Sequence, residues 1–310
     1  MIAALVMAAA AAAAPVELSA AGPNGLLAGT LIDPGPASPA VLILPGSGPT
    51  DRDGNNTLGI TAASHRLLAE ALAKRGVATL RIDKRGMFGS KAAVADPNAV
   101  TVADYAADAR TWVEVLRART GRRCVWLLGH SEGGLVALVA AQEGDGVCGV
   151  VLVASPGRPL AATMHEQFRT NPANAPILPA ALGALDAFEA GRRIDPATLP
   201  APLGAMFPAS VQGFVIDLFA QKPAALAGAL KVPLLIVQGE ADLQVSVADA
   251  EALKAAAPAA TLVRLPRVSH VLKQVDGDDR AANLATYRDP SRPIASGVVD
   301  AVASFVTKRR

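Results

Sequence analysis

Ser131 is the residue on which chemistry could turn. It sits in Gly129-His130-Ser131-Glu132-Gly133, a Gly-x-Ser-x-Gly run after the apolar stretch 124–128 and before the apolar stretch 135–141. A strand turning sharply into a helix there holds the serine in a strained backbone and lifts its hydroxyl above the end of a sheet. The two glycines answer a steric need, because strand and helix pass too close for a side chain at either position. A serine hydroxyl is a weak nucleophile at neutral pH. It needs a base, and the base needs an acid to orient it. The chemistry so served is acyl transfer through a covalent acyl-enzyme.

The chain has four histidines. His130 lies inside the elbow and is expected to point away from the serine hydroxyl. His65 falls on an early amphipathic helix, and His165 in a proline-rich insertion. His270 follows a late strand and is the expected base. The acid should lie between Ser131 and His270 in chain order, at another strand end. Asp242 fills that place, after the apolar run 234–237 and Gly239. Glu240 competes with it, but the shorter side chain holds an imidazole more rigidly. Asp249, inside the next helix, and Asp276, beyond the base, fit less well. Two backbone N–H groups must receive the oxyanion. One is expected from Glu132, after the nucleophile. The other is expected from Ser47, in the Gly-rich turn 45–49 that follows the apolar run 40–44.

These residues need a scaffold. Strands are expected at 26–32, 40–44, 77–82, 124–128, 149–154, 234–237 and 261–265. Helices are expected at 62–74, 102–119, 134–142, 247–256 and 296–308. Thr101 and Asp104 form a capping-box pattern ahead of the second of these helices. Its apolar residues Val102, Tyr105, Ala109, Trp112, Val113 and Leu116 recur at a helical period. Repeated strand–helix alternation gives an α/β fold: a mostly parallel sheet with helices on both faces and ligands at the carboxyl ends of the strands. The alternation stops at 155–231, where prolines are frequent and helical pieces are expected near 180–190 and 210–220. That stretch reads as a helical cap inserted in a core of 15–154 and 232–310.

Composition agrees with one enzyme domain. Half the 310 residues are apolar, enough for a large core, and the net charge is only +2. No basic block precedes the Lys308-Arg309-Arg310 tail, which reads as a solvated helix end, so no nucleic-acid partner is expected. Residues 1–14 read as the apolar part of a secretory signal with a cleavage site near 12–14, although a positive n-region is missing. The run is too short to span a bilayer comfortably, and no stable membrane insertion is expected. The expectation is a periplasmic or secreted protein, with the cytoplasm as the alternative. Cys124 and Cys148 open two apolar runs that would be neighbouring strands. A disulfide fits there, and so do two buried free thiols. No Cys/His spacing suggests zinc. The chemistry calls for no metal or organic cofactor.

At these residues the chain resembles the α/β-hydrolases of serine-esterase type, over roughly 26–305, and especially the EstD-like bacterial carboxylesterases. The resembling segments are 45–55, Asp83-Lys84-Arg85-Gly86, 129–134 and 232–239, the last extended by Asp242-Leu243-Gln244-Val245. The resemblance implies Ser131 as nucleophile, Asp242 as acid and His270 as base, with a cap between the sixth and seventh core strands. Two departures stand out. Pro45-Gly46 replaces the His-Gly of many hydrolases. Met87-Phe88-Gly89-Ser90 displaces the usual second glycine, in a loop that would shape the pocket. Asp51, Arg52 and Asp53 are expected to pin the loop beside the oxyanion hole through a local ion pair or turn hydrogen bonds. The reading is a serine carboxylic-ester hydrolase acting on a small-molecule, short-chain ester. A thioesterase, an acyltransferase or a serine peptidase would use the same three residues. A binding protein that kept the fold without catalysis fits less well, because all three candidates are present.

Overall fold

The computed structural model describes residues 13–277 and 279–308. The leader expected at 1–14 lies, but for its last two residues, outside them. Among the described residues a single eight-stranded sheet runs in the order β1-β2-β4-β3-β5-β6-β7-β8. The strands are β1 (Val16–Ala21), β2 (Leu26–Ile32), β3 (Ala40–Leu44), β4 (Ala78–Ile82), β5 (Val125–His130), β6 (Val147–Val153), β7 (Leu234–Gly239) and β8 (Thr261–Leu265). All pairings from β4 through β8 are parallel, whereas β2 is antiparallel to both β1 and β4. β1 was not expected from sequence. It is an edge strand with mostly solvent-exposed side chains, so it lacks the apolar run of the inner strands.

Side chains alternate between the two faces of the sheet. Along β5, Val125 and Leu127 join one core, while Trp126 and Leu128 join the other. Helices α2 (Val102–Thr120), α3 (Glu132–Ala140) and α9 (Val247–Ala256) cover the first face, and α1 (Ser64–Lys74) and α11 (Ser296–Lys308) the second. α2 starts where its sequence says it should: Thr101 Oγ1 accepts from the Asp104 N–H, and the Asp104 carboxylate accepts from the Thr101 N–H. Gly121 ends it in the left-handed conformation.

Between β6 and β7 lie α4 (Leu160–Thr170), α5 (Leu178–Glu189), α6 (Ala201–Met206), α7 (Ala209–Ala220) and α8 (Pro223–Ala229), and α10 (Arg280–Ala285) follows β8. Helices α4, α5 and α7 pack on one another, and α7 also touches α2. α8 instead packs on the core helices α3 and α9. Several hydrogen bonds fasten the insertion to the core, and two carboxylates stand out among their acceptors. Asp217 on α7 accepts the Val102 N–H at 2.8 Å, at the first turn of α2. Asp249 on α9, fully buried, takes the Gly157 and Arg158 amides and the Arg158 guanidinium. Burial alone would raise the Asp249 carboxyl, but Arg158 and these amides outweigh it and hold it below the ordinary carboxylate range.

The register decides where the site forms. Leu44 faces Gly129, Val153 faces His130 and Val237, and Gly239 faces Leu265. The loops carrying Ser47, Ser131, Asp242 and His270 therefore leave the sheet at one common edge. At the opposite end Cys124 and Cys148 are joined as a disulfide, with Cα atoms 5.1 Å apart.

Candidate active site

Ser131 separates β5 from α3 with φ 54° and ψ −125°, a region that L-residues enter only under strain of about 1–3 kcal/mol. Packing enforces it. A Cβ at Gly129 would stand 2.2 Å from the Gly133 carbonyl oxygen, and one at Gly133 would stand 2.3 Å from that of Leu44. α3 begins at Glu132, two residues before the sequence suggested, because the close approach at Gly133 and Gly134 outweighs their poor helix propensity. Ser131 opens into a cavity of about 440 Å³ between core and cap. Met87 and Tyr105 form its core wall, and Leu160, Met164, Phe214 and Leu218 its cap wall.

The structure brings His270 and Asp242 into contact, Nδ1 to Oδ2 at 2.8 Å, with both side chains buried. The other Asp242 oxygen accepts the amides of Gln244 and Val245 at 2.7 and 2.9 Å. The carboxylate is thus fixed from behind and holds Nδ1 as the donor, which leaves Nε2 as the basic nitrogen. Glu240 turns away to Arg264. Asp249 serves Arg158, as above, and Asp276 pairs with Arg292. Among the described residues the Ser131 hydroxyl makes no hydrogen bond. Such contacts are often long before substrate binds and tighten in the reacting complex. The Ser131 N–H is held by Val153 O at 3.0 Å.

Ser47 lines the cavity beside Ser131 and Glu132. As the first residue of α3, Glu132 has an N–H that the helix itself cannot pair. The loop 45–48 does without the histidine of many hydrolases, and it runs close to the elbow: a Cβ on Gly46 would stand 3.2 Å from that of Ser131, a tight contact.

Two buried imidazoles back His270. His130 Nε2 lies 2.8 Å from the His270 carbonyl, and His130 Nδ1 lies 3.2 Å from His65 Nε2. A carbonyl only accepts, so His130 Nε2 carries the proton, Nδ1 accepts, and His65 Nε2 donates. Burial, with the neighbouring imidazoles, pushes His130 down to about 3 and His65 well below the usual histidine value. Both rings are neutral struts. The sequence places His130 away from the Ser131 hydroxyl but gives no sign that it packs against the His270 loop, a contact that spans 140 positions.

The loop 51–53 is pinned by turn hydrogen bonds and by ion pairs. Asp51 makes the expected turn bonds to the Asp53 and Asn55 amides. The ion pairs are long-range instead of local. Arg52 forks onto Asp83 and reaches Glu17, and Asp53 meets Arg81. Lys84, a residue with no role assigned from sequence, is buried between the Gly46 carbonyl and Glu132. The Asp83-Lys84-Arg85-Gly86 segment was the only signal for it, and its partners lie too far along the chain to read. Among the described residues, His165, Asp186 and Glu189 in the cap offer ligand atoms within 4.8 Å of one another. His165 already pairs with Asp186 at 3.1 Å, and both carboxylates are solvated. No helix among the described residues is long and apolar enough to cross a membrane.

The chain is similar to known proteins. Over 216 residues the chain is 32% identical to Esterase EstD of Thermotoga maritima, covering 69% of this chain and 48% of that protein. The chain thus spans about half the length of the curated relative it matches. The Pyrococcus furiosus esterase Pf2001 superposes with a TM-score of 0.58 at 19% identity, over 96% of this chain and 91% of that one. Est1E from Butyrivibrio proteoclasticus gives 0.57 at 19% identity, over 94% and 98%. At such identities the likeness is one of fold. The model of the alpha/beta hydrolase family matches residues 40–283, from β3 through the loop of His270 and into α10. With the strained serine elbow at the end of β5 and the Asp–His pair following β7 and β8, the chain belongs to the alpha/beta hydrolase family.

Proposed function

We propose that the protein is a serine carboxylic-ester hydrolase acting on small, short-chain esters. Ser131 Oγ attacks the ester carbonyl while His270 Nε2 takes its proton. Asp242 steadies the imidazolium that results. The amides of Glu132 and Ser47 receive the oxyanion. Collapse expels the alcohol, which takes the proton from His270 and leaves an acyl-Ser131. Water then attacks by the same route and releases the acid.

The observations that carry this reading are a serine at φ 54° opening into an apolar cavity and, on loops leaving the same edge of the sheet, a buried imidazole held by a carboxylate at 2.8 Å. The esterase names of the relatives agree with it. Acetyl and butyryl groups would fill part of the space under the cap. Hydrolysis of p-nitrophenyl acetate, butyrate and octanoate by the parent and by Ser131→Ala tests it. Saturable turnover that falls with chain length and vanishes in the variant is expected. Turnover surviving in Ser131→Ala would mean another nucleophile. Export to the periplasm or beyond is proposed with it, supported by the Cys124–Cys148 disulfide, since such bonds persist in oxidising compartments. Sequencing the mature N-terminus from cell fractions checks that part.

A further inference from the structure

Lys84 follows Asp83 at the end of β4, and none of the steps above uses it. Its side chain is 5% exposed, and that of Glu132 is 2% exposed. An ammonium so deeply buried is tolerated only when paired and hydrogen-bonded. Glu132 Oε1 stands 3.4 Å from Nζ, and Nζ donates to the Gly46 backbone oxygen at 2.8 Å. The ring of Tyr105 lies under the cation, 5.4 Å from its centroid.

The Gly46 oxygen belongs to the same peptide unit as the Ser47 N–H. Among the described residues no peptide bond is cis. In a planar trans peptide the C=O and N–H point in opposite directions. Holding the oxygen on Lys84 therefore fixes the direction of the Ser47 N–H. This peptide borders the nucleophile, as the Gly46 approach to Ser131 shows. The carboxylate that balances Lys84 belongs to Glu132, whose own amide is the other proposed oxyanion donor. One buried ammonium thus connects the loop after β3 to the first residue of α3, and with them both donors.

We infer that Lys84 is a positioning residue that presets the Gly46–Ser47 peptide, so that the Ser47 N–H is aimed before an ester arrives. Its kinetic consequence rests on the ester-hydrolase reading; its structural consequence does not. An oxyanion donor is effective because it needs no reorientation during the reaction. Freed from Lys84, the peptide can rotate, and part of that advantage is lost.

Lys84→Met alone would strand the Glu132 carboxylate and could unfold the protein, so the informative variant is Lys84→Met with Glu132→Gln. It keeps the backbone at 132 and buries no unpaired charge. On p-nitrophenyl acetate its kcat should fall by roughly 10- to 100-fold, less than the ~10²–10³ of losing an oxyanion donor outright, with KM within a few-fold of the parent. Affinity for an aryl trifluoromethyl ketone, whose adduct with Ser131 carries the oxyanion, should fall by a similar factor. A merely structural role would lower only the active fraction, which active-site titration removes from kcat, and would leave the ketone affinity of the active molecules unchanged. A crystal structure of the double variant reads the peptide independently of turnover, and a rotated Gly46–Ser47 peptide is expected. An unmoved peptide, or unchanged kcat and ketone affinity in the folded variant, overturns the inference. An inert parent strikes the hydrolase reading instead, and the peptide orientation still decides the role of Lys84.

Discussion

His130 Nε2 donates to the backbone oxygen of His270 across 2.8 Å, so the residue before the elbow serine braces the loop that carries His270. His130→Ala removes that brace and leaves the His270 carbonyl and His65 Nε2 without partners. Each buried group so stranded costs about 1–3 kcal/mol. A fall in Tm of several degrees and a loss of about tenfold in kcat/KM are expected, the latter from misplacement of the imidazole. Thermal unfolding and p-nitrophenyl acetate kinetics check both. A variant with normal kcat/KM would show that the loop holds its place unaided.

The same pair makes stability depend on pH. His65 and His130 stay neutral in the fold far below the usual histidine value, His130 down to about 3. Once unfolded, each takes up a proton near about 6.5. Between these limits the unfolded chain binds more protons, so stability is full above about 6.5 and declines as the pH falls toward 3. The urea midpoint should be lower at pH 5 than at pH 7. In His65→Gln, which cannot titrate, the gap between the two midpoints should narrow.

Ser131→Gly separates strain from chemistry. At φ 54° and ψ −125° a residue without a Cβ is at ease. This variant should be inert yet more stable than the parent by about 1 kcal/mol. Denaturant unfolding of parent, Ser131→Ala and Ser131→Gly gives the ordering. Equal stability of the alanine and glycine variants would mean that the elbow stores no strain.

The disulfide acts at the other end of the sheet. It closes a loop of 24 residues, for which chain entropy gives a stabilisation of about 3 kcal/mol. Replacing both cysteines with serine should lower Tm by several degrees. The kcat should stay unchanged, since six residues of strand, about 20 Å, separate Cys124 from Ser131. A matched loss of kcat would mean that β5 transmits the change to the elbow.

Sequence made the central part of this structure readable because its signals are local. The elbow follows from five adjacent residues. The start of α2 follows from its capping box and helical period. β1 escaped because an exposed edge strand shows little apolar alternation. In the cap, frequent prolines hid α4, α6 and α8, since proline serves there at helix starts and loops as well as at breaks. The contacts that arm the site were unreadable for another reason. Lys84 meets Gly46 across 38 positions and His65 meets His130 across 65, and only the sheet order brings them together. The choice between free thiols and a disulfide likewise needed the neighbouring register of β5 and β6.

Asp217 has a consequence for how this fold is inherited. Its carboxylate belongs to the cap, yet it completes the first turn of a core helix by accepting the Val102 N–H. The negative charge there also suits the positive end of the α2 dipole. A lid recombined from another hydrolase at the flanks of the insertion would arrive without this acceptor unless its sequence happened to supply one. Lid and α2 therefore form one unit of exchange, and shuffled libraries that cut between them should yield fewer folded progeny than libraries that carry both.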